Sequence, residues 1–447
     1  MTININGKEE FSKREKECLE FLRRPTLLAD IKNELSFKIK GEEQNKLSLF
    51  LLCLSKDFDP QAIYLMGSSS AGKSFLINEV LEFMPNDCIE KFTRSSAHGL
   101  EYLFKDKDMN GKILVIQEAL GGEQAEGSLR PMMSKDQKGL RIVTVDFNRE
   151  YKILEIEGCP VYITSTTDVD IEHQMTTRVW FLSPDETEKQ TKEILDHQAE
   201  EEASLVEIKS ENKGLIKDAI KLLKPPKKIV IVYAKKIREF FPTDKLKYRR
   251  DFKKFMTLIK CSAYLHQYQR KYEDGILYAS IVDLINALGV AGDILKQTLL
   301  GLSDISIRIL NEIKKMEKET NKNLEKDKVD FKDLPDITHQ SLAREMKLAE
   351  PTIKIFIKPL WTEGYVSRNE TKKPYKYFTV EIKNTFKRLL KVSNSYSTFF
   401  SKMEFANWLS GHGYKVSKCS LCYEDINPFT NDVTITKEGE NGEFKEK

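Results

Sequence analysis

Residues 63–74 place small residues, a lysine and a serine at the spacing of a phosphate-binding loop. After an apolar run, eight residues fit G-x-x-x-x-G-K-S ahead of the amphipathic segment Phe75–Phe83; they are Gly67, Ser68, Ser69, Ser70, Ala71, Gly72, Lys73 and Ser74. Small residues let successive backbone N–H groups turn toward a polyphosphate, and a helix N-terminus adds positive charge. The pattern predicts a nucleoside triphosphate site, with Lys73 on the β- and γ-phosphates and Ser74 on Mg²⁺.

A second apolar run, Lys112–Ile116, ends in two polar residues, Gln117 and Glu118. Ligands of parallel sheets lie at the carboxyl ends of the strands, so Glu118 is predicted to polarise the attacking water as a general base. Gln117 stands where a carboxylate would usually help to hold Mg²⁺. Two interpretations remain open: Ser74, Gln117 and Glu118 hold a water-bridged Mg²⁺, or hydrolysis is slow.

Two further polar positions border apolar runs. Val161–Ser165 is followed by Thr166, and Ser165 or Thr166 is predicted to orient the attacking water or contact the γ-phosphate, unless these hydroxyls only cap the strand. Arg178 directly precedes the apolar run Val179–Leu182. An arginine there is typical of a subunit face, from which its guanidinium reaches a neighbour's γ-phosphate, although a plain surface arginine is the alternative.

The composition indicates a globular chain of several domains. The 447 residues are 40% hydrophobic and 10% aromatic, and the net charge of +3 is too small to indicate nucleic-acid binding by itself. The seven cysteines are scattered and odd in number, which predicts reduced thiols and a cytoplasmic location. No signal-peptide pattern opens the chain and no run of eighteen apolar residues is present, so we expect no membrane association.

Apolar runs alternate with helical patterns between residues 61 and 185, which predicts a parallel sheet flanked by helices. Its strands are predicted at Ala62–Met66, Ile113–Ile116, Val161–Ser165 and Val179–Leu182. The remaining patterns divide the chain into a helical N-terminal segment (1–60), the α/β core (61–185), a helical lid (186–275), a helical connector (276–330), a basic unit (331–391) and a tail (392–447).

The order of these motifs resembles that of AAA+ ATPases. Within them it is most similar to the minichromosome-maintenance (MCM) branch and to MCM-like ATPase domains found beside primases and in mobile elements. Phe92–Leu100 resembles the Ser/Gly-rich segment of that branch, and Thr177–Leu182 its arginine finger and strand. In Tyr248–Phe252, Arg250 fits the sensor-2 arginine best and Arg249 second. The resemblance covers roughly residues 40–390.

The resemblance implies a ring of six copies that hydrolyses ATP, binds single-stranded or forked DNA and unwinds the duplex during replication. ATP would lie between Lys73, Ser74 and Glu118 of one copy and Arg178 of the next, with Arg250 from either side. A primase or another replication protein is the implied partner. Three features depart from the family: Gln117, the short segment Tyr102–Gly111 and an N-terminal part of only sixty residues. A non-motor initiator or helicase loader, or a defence or regulatory ATPase, is therefore the alternative.

Residues 139–146 and 151–156 alternate as two strands around a four-residue turn, which predicts a β-hairpin. In the MCM resemblance such a hairpin projects into the central channel and grips nucleic acid. Arg149 and Lys152 would contact phosphates and Phe147 would stack on a base. These contacts are independent of base sequence, as a translocating enzyme requires, although an edge hairpin with solvated charges is the alternative.

Residues 331–391 carry thirteen Lys or Arg against seven Asp or Glu. A helix, a turn with Pro351, the helix Thr352–Trp361 and two strands around a charged tip predict a winged helix. Arg368, Lys372 and Lys373 are its predicted phosphate contacts, unless the unit docks on a protein. Pro359 is expected to kink or end the second helix.

In the tail, Cys419, Cys422 and His412 supply too few ligands for a structural zinc site.

Overall fold

The computed structural model describes most of the chain. The described residues are 2–3, 9–93, 104, 107–117, 139–145, 151–167, 178–203, 212–238, 241, 243, 246–300, 302–327, 336–362, 364–369, 375–379, 414–416 and 435–437. Several predicted site residues lie outside this part of the chain, namely Glu118, Phe147, Arg149, Lys372, Lys373, His412, Cys419 and Cys422. For Lys152 the backbone is described but the side chain is not.

Two short strands, β1 (Thr2–Ile3) and β2 (Glu9–Glu10), precede three helices, α1 (Lys13–Leu22), α2 (Leu27–Ser36) and α3 (Glu43–Cys53). The turn between α2 and α3 is held from inside by Lys46, whose side chain is fully buried. Its Nζ donates to the carbonyls of Ile39 (3.2 Å) and Gly41 (3.0 Å). The buried cation therefore fixes the backbone of residues 39–41 instead of facing solvent.

The central sheet has five strands, all parallel to their neighbours, in the order β4-β5-β8-β3-β9. In chain order the strands of this region and the helix α4 are β3 (Ala62–Met66), α4 (Lys73–Leu81), β4 (Ile89–Phe92), β5 (Ile113–Ile116), β6 (Gly139–Val145), β7 (Tyr151–Glu157), β8 (Val161–Thr166) and β9 (Val179–Leu182). The four predicted strands are confirmed, with β8 one residue longer than expected. The predicted hairpin is also confirmed, as the antiparallel pair β6–β7.

Both faces of the five-stranded sheet are covered. Alternate side chains such as Ile63, Leu65 and Ile163 join a large core shared with α3 and the later helices. The intervening ones, such as Tyr64 and Tyr162, pack on Phe104 and Met109 in a second, smaller core. Burial on both faces explains why these strands are apolar runs in the sequence, as is usual for parallel sheets.

After β9 the chain forms a lid of helices and a small sheet. The helices are α5 (Glu188–Ala203), α6 (Lys213–Lys221), α7 (Ala234–Arg238) and α8 (Tyr248–Leu265). The prediction of helices alone is wrong here, because β10 (Lys228–Val230), β11 (Tyr272–Glu273) and β12 (Ile276–Tyr278) form a three-stranded sheet. This sheet spans the predicted boundary between residues 275 and 276.

The C-terminal elements are α9 (Ile281–Leu300), α10 (Asp304–Asp327), α11 (His339–Met346), α12 (Glu350–Thr362), β13 (Val366–Arg368), β14 (Tyr377–Thr379), β15 (Tyr414–Val416) and β16 (Ile435–Lys437). Helix α10 packs against α11, α12 and β14, and the Ser306 hydroxyl donates to the Phe356 carbonyl at 2.8 Å. The C-terminal unit therefore includes α10, which the sequence assigned to the connector.

Pro359 does not end α12, which continues to Thr362. The proline removes the hydrogen bond to the carbonyl of Ile355, whose side chain lies on the exposed face of the helix. Solvent can satisfy that carbonyl, so the helix passes through the proline.

No helix in the described part of the chain has the length and apolar character needed to cross a bilayer.

Candidate nucleotide-binding site

The predicted phosphate loop joins β3 to α4 at the carboxyl edge of the sheet. Its backbone is left-handed at Ser70 (φ 67°) and at Gly72 (φ 78°), where the absence of a Cβ removes the steric cost. Gly67 approaches another segment closely, because a Cβ there would lie 2.9 Å from Oε1 of Glu186. The side chains of Ser68, Ser69 and Ser70 are exposed. These three serine side chains therefore face solvent.

Helix α4 begins at Lys73, so its first N–H groups face the loop without intrahelical partners. The helix dipole makes this end attractive to anions. Ser74 lies exposed on the first turn, beside the lysine. The loop and helix together present backbone donors, a hydroxyl and an ammonium at one edge of the sheet.

Lys73 is half-buried and folds back onto the loop itself. Its Nζ donates to the carbonyl oxygens of Gly67 (3.0 Å) and Ser68 (2.5 Å). Burial lowers the pKa of the Lys73 ammonium, while the nearby Glu186 carboxylate acts in the opposite direction. Without nucleotide the ammonium is thus satisfied by two neutral acceptors that a phosphate oxygen can replace.

The ends of β5 and β8 meet beside the loop, because β8 lies between β5 and β3. The Ser165 hydroxyl donates to the carbonyl of Gln117, and the N–H of Gly67 lies 3.4 Å from the carbonyl of Thr166. Ser165 is buried and committed to this backbone contact, so of the two predicted hydroxyls Thr166 is the more accessible. Gln117 ends at the same edge, and Glu118 follows it in the chain.

Arg178 lies at the opposite edge of the sheet. Strand β9 runs parallel to β3 with Val179 beside Ala62, whereas the loop follows Met66. The five residues of β3 carry the chain about 16 Å at about 3.3 Å per residue. Arg178 is therefore about that far along the strands from the phosphate loop of its own copy.

Helix α8 brings Arg250 to the same edge as Arg178. The Lys254 ammonium donates to the carbonyl of Val179 at 3.1 Å and pairs with Asp251 at 3.0 Å. Burial lowers the pKa of Lys254 and raises that of Asp251, and their mutual attraction opposes both shifts. Because Arg250 precedes Lys254 by one helical turn, the start of α8 lies against the residue that follows Arg178.

The structure also brings to the loop a residue that sequence reasoning missed. Oε1 of Glu186 accepts a hydrogen bond from the N–H of Ser68 at 2.7 Å. Glu186 lies in the irregular segment Ser183–Thr187, so no periodicity marks it. A usable signal was its position four residues after β9, because the chain must leave that strand beside the loop of the adjacent strand β3.

The donors at the loop fit Mg²⁺ only in company with a nucleotide. Within the described ranges no three His, Cys, Asp or Glu side chains cluster closely enough to hold a metal ion. Ser74 and Gln117 supply a hydroxyl and an amide oxygen near the loop. Mg²⁺ keeps several waters and takes phosphate oxygens where protein ligands are few, so this set suits a cation that arrives with the nucleotide.

The predicted DNA contacts are resolved in part. Lys152 lies on β7 opposite Thr144. The Arg368 guanidinium lies 3.9 Å from the ring centre of Trp361 and 4.5 Å from that of Tyr375. These aromatic contacts hold Arg368 at the end of β13 nearest the connection to β14, and its contact with phosphate stays a prediction.

A family model described as the MTBMA_p00010 P-loop domain matches residues 12–225, a little under half of the chain. The matched range runs from the start of α1 through the sheet to α6. A comparison with curated proteins finds no match. The family match, the phosphate loop and the parallel five-stranded sheet together define an α/β P-loop NTPase domain.

Proposed function

We propose that the protein is an ATP-hydrolysing AAA+ motor of the MCM-like branch, which assembles as a six-membered ring and unwinds DNA. The observation that carries this proposal is that the phosphate loop and two candidate catalytic arginines lie at opposite edges of one sheet. The phosphate loop lies at the carboxyl edge, and Arg178 and Arg250 lie at the other. A head-to-tail ring brings the loop edge of one copy to the arginine edge of the next.

At such a seam, Lys73 binds the β- and γ-phosphates, and the Ser74 hydroxyl helps to hold the Mg²⁺ that neutralises them. Glu118 takes a proton from the water that attacks the γ-phosphorus, and the bond to the departing ADP oxygen breaks. Arg178 of the neighbouring copy stabilises the charge that develops on the transferred group. Arg250, on the helix that contacts the start of β9, adds a second positive charge from the same side.

The DNA contacts in this proposal come from two places. The hairpin β6–β7 is paired as a separate ribbon with Lys152 toward its tip. In the C-terminal unit, α12 exposes Lys354 and Lys358 on the face opposite its buried residues. Three helices followed by a hairpin support a winged helix, in which α12 would lie on the duplex.

Mixing two inactive variants tests the shared site. We expect Arg178→Ala to keep nucleotide affinity but to lose about a thousandfold or more in turnover, and Lys73→Ala to lose binding. In mixed rings, about a quarter of the seams combine an intact loop with an intact arginine, so hydrolysis should partly return. Steady-state ATPase assays of equimolar mixtures measure this.

The matched control is Arg23→Ala, an exposed arginine at the end of α1, which should hydrolyse ATP like the unaltered protein. Normal turnover by Arg178→Ala in an assembled ring would contradict the proposal. So would a failure of the mixture to recover any activity while both variants assemble.

A non-motor AAA+ initiator or helicase loader is the second candidate. Gln117 favours it, because an amide in place of a carboxylate weakens the hold on Mg²⁺ and slows hydrolysis. Displacement of a strand from a forked duplex on addition of ATP distinguishes a motor from a loader, which binds without unwinding. A regulatory ATPase with a protein-docking C-terminal unit would instead bind its target with little dependence on salt.

A further inference from the structure

A carboxylate occupies the phosphate loop in the structure. Glu186 accepts the Ser68 N–H at 2.7 Å, and its charge lies close enough to Lys73 to act on the pKa of the ammonium. A loop amide and this lysine are the same types of donor that bind a phosphate oxygen. The approach is close, since a Cβ on Gly67 would lie 2.9 Å from the same carboxylate oxygen.

We propose that Glu186 is an internal competitor of the nucleotide: it holds the loop when the site is empty, and the phosphates displace it when they bind. This inference rests on the proposed nucleotide site. A phosphate and the Glu186 carboxylate cannot both take the Ser68 N–H, because an amide has one hydrogen to donate. Two anions at that point would also repel each other.

The displaced carboxylate belongs to a segment that is anchored to the N-terminal helices. Oε1 of Glu42 accepts the Asp185 N–H at 2.6 Å, and the Asn45 amide donates to the Ser183 carbonyl at 2.8 Å. One turn into α5, the Gln190 amide donates to the Lys40 carbonyl at 2.7 Å. These anchors lie on both sides of Glu186, and one of them, Lys40, lies in the turn that the buried Lys46 stabilises.

Movement of Glu186 therefore affects α5, the first helix of the lid. Helix α5 starts two residues later, at Glu188, and contacts the N-terminal part again through Glu201, which pairs with Lys38 at 2.6 Å. Release of the loop contact leaves the segment held only by its anchors on the N-terminal part of the chain. The occupied and empty sites would then differ in the position of α5, which gives the lid a means to respond to nucleotide.

The test compares Glu186→Ala, which removes both the charge and the acceptor of the Ser68 N–H, with Glu188→Ala in the full-length protein. If the contact closes the site about nine-tenths of the time, its removal tightens nucleotide binding by about tenfold, because apparent affinity scales with the competent fraction. Titration calorimetry with Mg²⁺ and a non-hydrolysable ATP analogue measures the affinity. Glu188→Ala, at an exposed neighbour, should bind like the unaltered protein.

Amide hydrogen exchange of residues 183–190 supplies an independent measurement. The analogue should speed exchange in the unaltered protein, whereas Glu186→Ala should exchange fast from the start and change little. Equal or weaker affinity of Glu186→Ala overturns the inference and leaves the nucleotide site intact. If neither protein binds the analogue, the proposed nucleotide site itself fails, and the inference fails with it.

Discussion

The side chains that face the phosphate loop carry opposite charges and have different origins. Lys73 belongs to the loop motif, and its position follows from the strand, the glycines and the helix start that surround it. Its spacing was therefore predictable from the sequence. Glu186 comes from a part of the chain more than a hundred residues later and reaches the loop only because β9 lies beside β3. No local pattern marks Glu186, and its sequence signal is its position just after a predicted strand of the sheet.

Lys73→Ala should abolish measurable binding of ATP while the fold is retained. A hydrogen bond to a charged group contributes about 1.5–3 kcal/mol, and the lost lysine would make at least one to the phosphates. The side chain donates to two loop carbonyls at the edge of the sheet, so we expect its removal to leave the core unchanged. Calorimetry with the ATP analogue measures the loss.

Lys91→Ala removes an exposed lysine from β4 and serves as the control, since that lysine reaches only Asn78. Retention of normal affinity by Lys73→Ala would show that the nucleotide binds elsewhere. A large fall in thermal stability would instead show that the lysine supports the fold.

At the scale of elements, the apolar runs that form β3, β5, β8 and β9 were recognisable because both faces of the sheet are buried. The lid strands β10, β11 and β12 were not, because runs of two or three residues carry no measurable periodicity. The position of α10 was also misjudged, since its partner β14 lies about fifty residues further along. A contact between elements so far apart in the chain depends on tertiary packing, which no local sequence pattern shows.

The C-terminal end of α8 should make stability depend on pH. His266 is 1% exposed, and burial lowers its pKa from 6.5 to about 4. Because the folded pKa is the lower one, the unfolded chain binds more protons between these values, so stability falls as pH drops from 6.5 toward 4. The full effect is about 3 kcal/mol. Urea unfolding at pH 7 and pH 4.5 measures it.

His266→Gln keeps a donor for the Ser262 carbonyl, which the His266 Nδ1 approaches at 2.8 Å, but cannot gain a proton. We expect this variant to be less stable than the unaltered protein at pH 7 and to lose less stability on acidification. Equal losses in the two proteins would show that His266 does not control this dependence.

For the whole molecule, one core joins the N-terminal helices, the sheet, the lid and the C-terminal unit. The sequence indicated these parts and their order. It could not show that Arg178 and Arg250 lie away from the phosphate loop, because that depends on strand direction and on how α8 packs.

If the catalytic site is shared between copies, turnover per chain must depend on concentration. ATPase activity should fall steeply on dilution below the assembly range and recover when the copies are concentrated again. Sedimentation of the same samples measures the assembled fraction. A dilute monomer that hydrolyses ATP at the full rate would exclude a shared site.

The hydrogen bond from Lys254 to the carbonyl of Val179 has one more consequence. A single helix carries Arg250 and also fixes the backbone next to Arg178, so a tilt of that helix moves both positive charges together. The two charges would then act on the nucleotide of a neighbouring copy as one rigid unit. Removal of both arginines should then cost scarcely more turnover than removal of either, as happens with groups that act in concert.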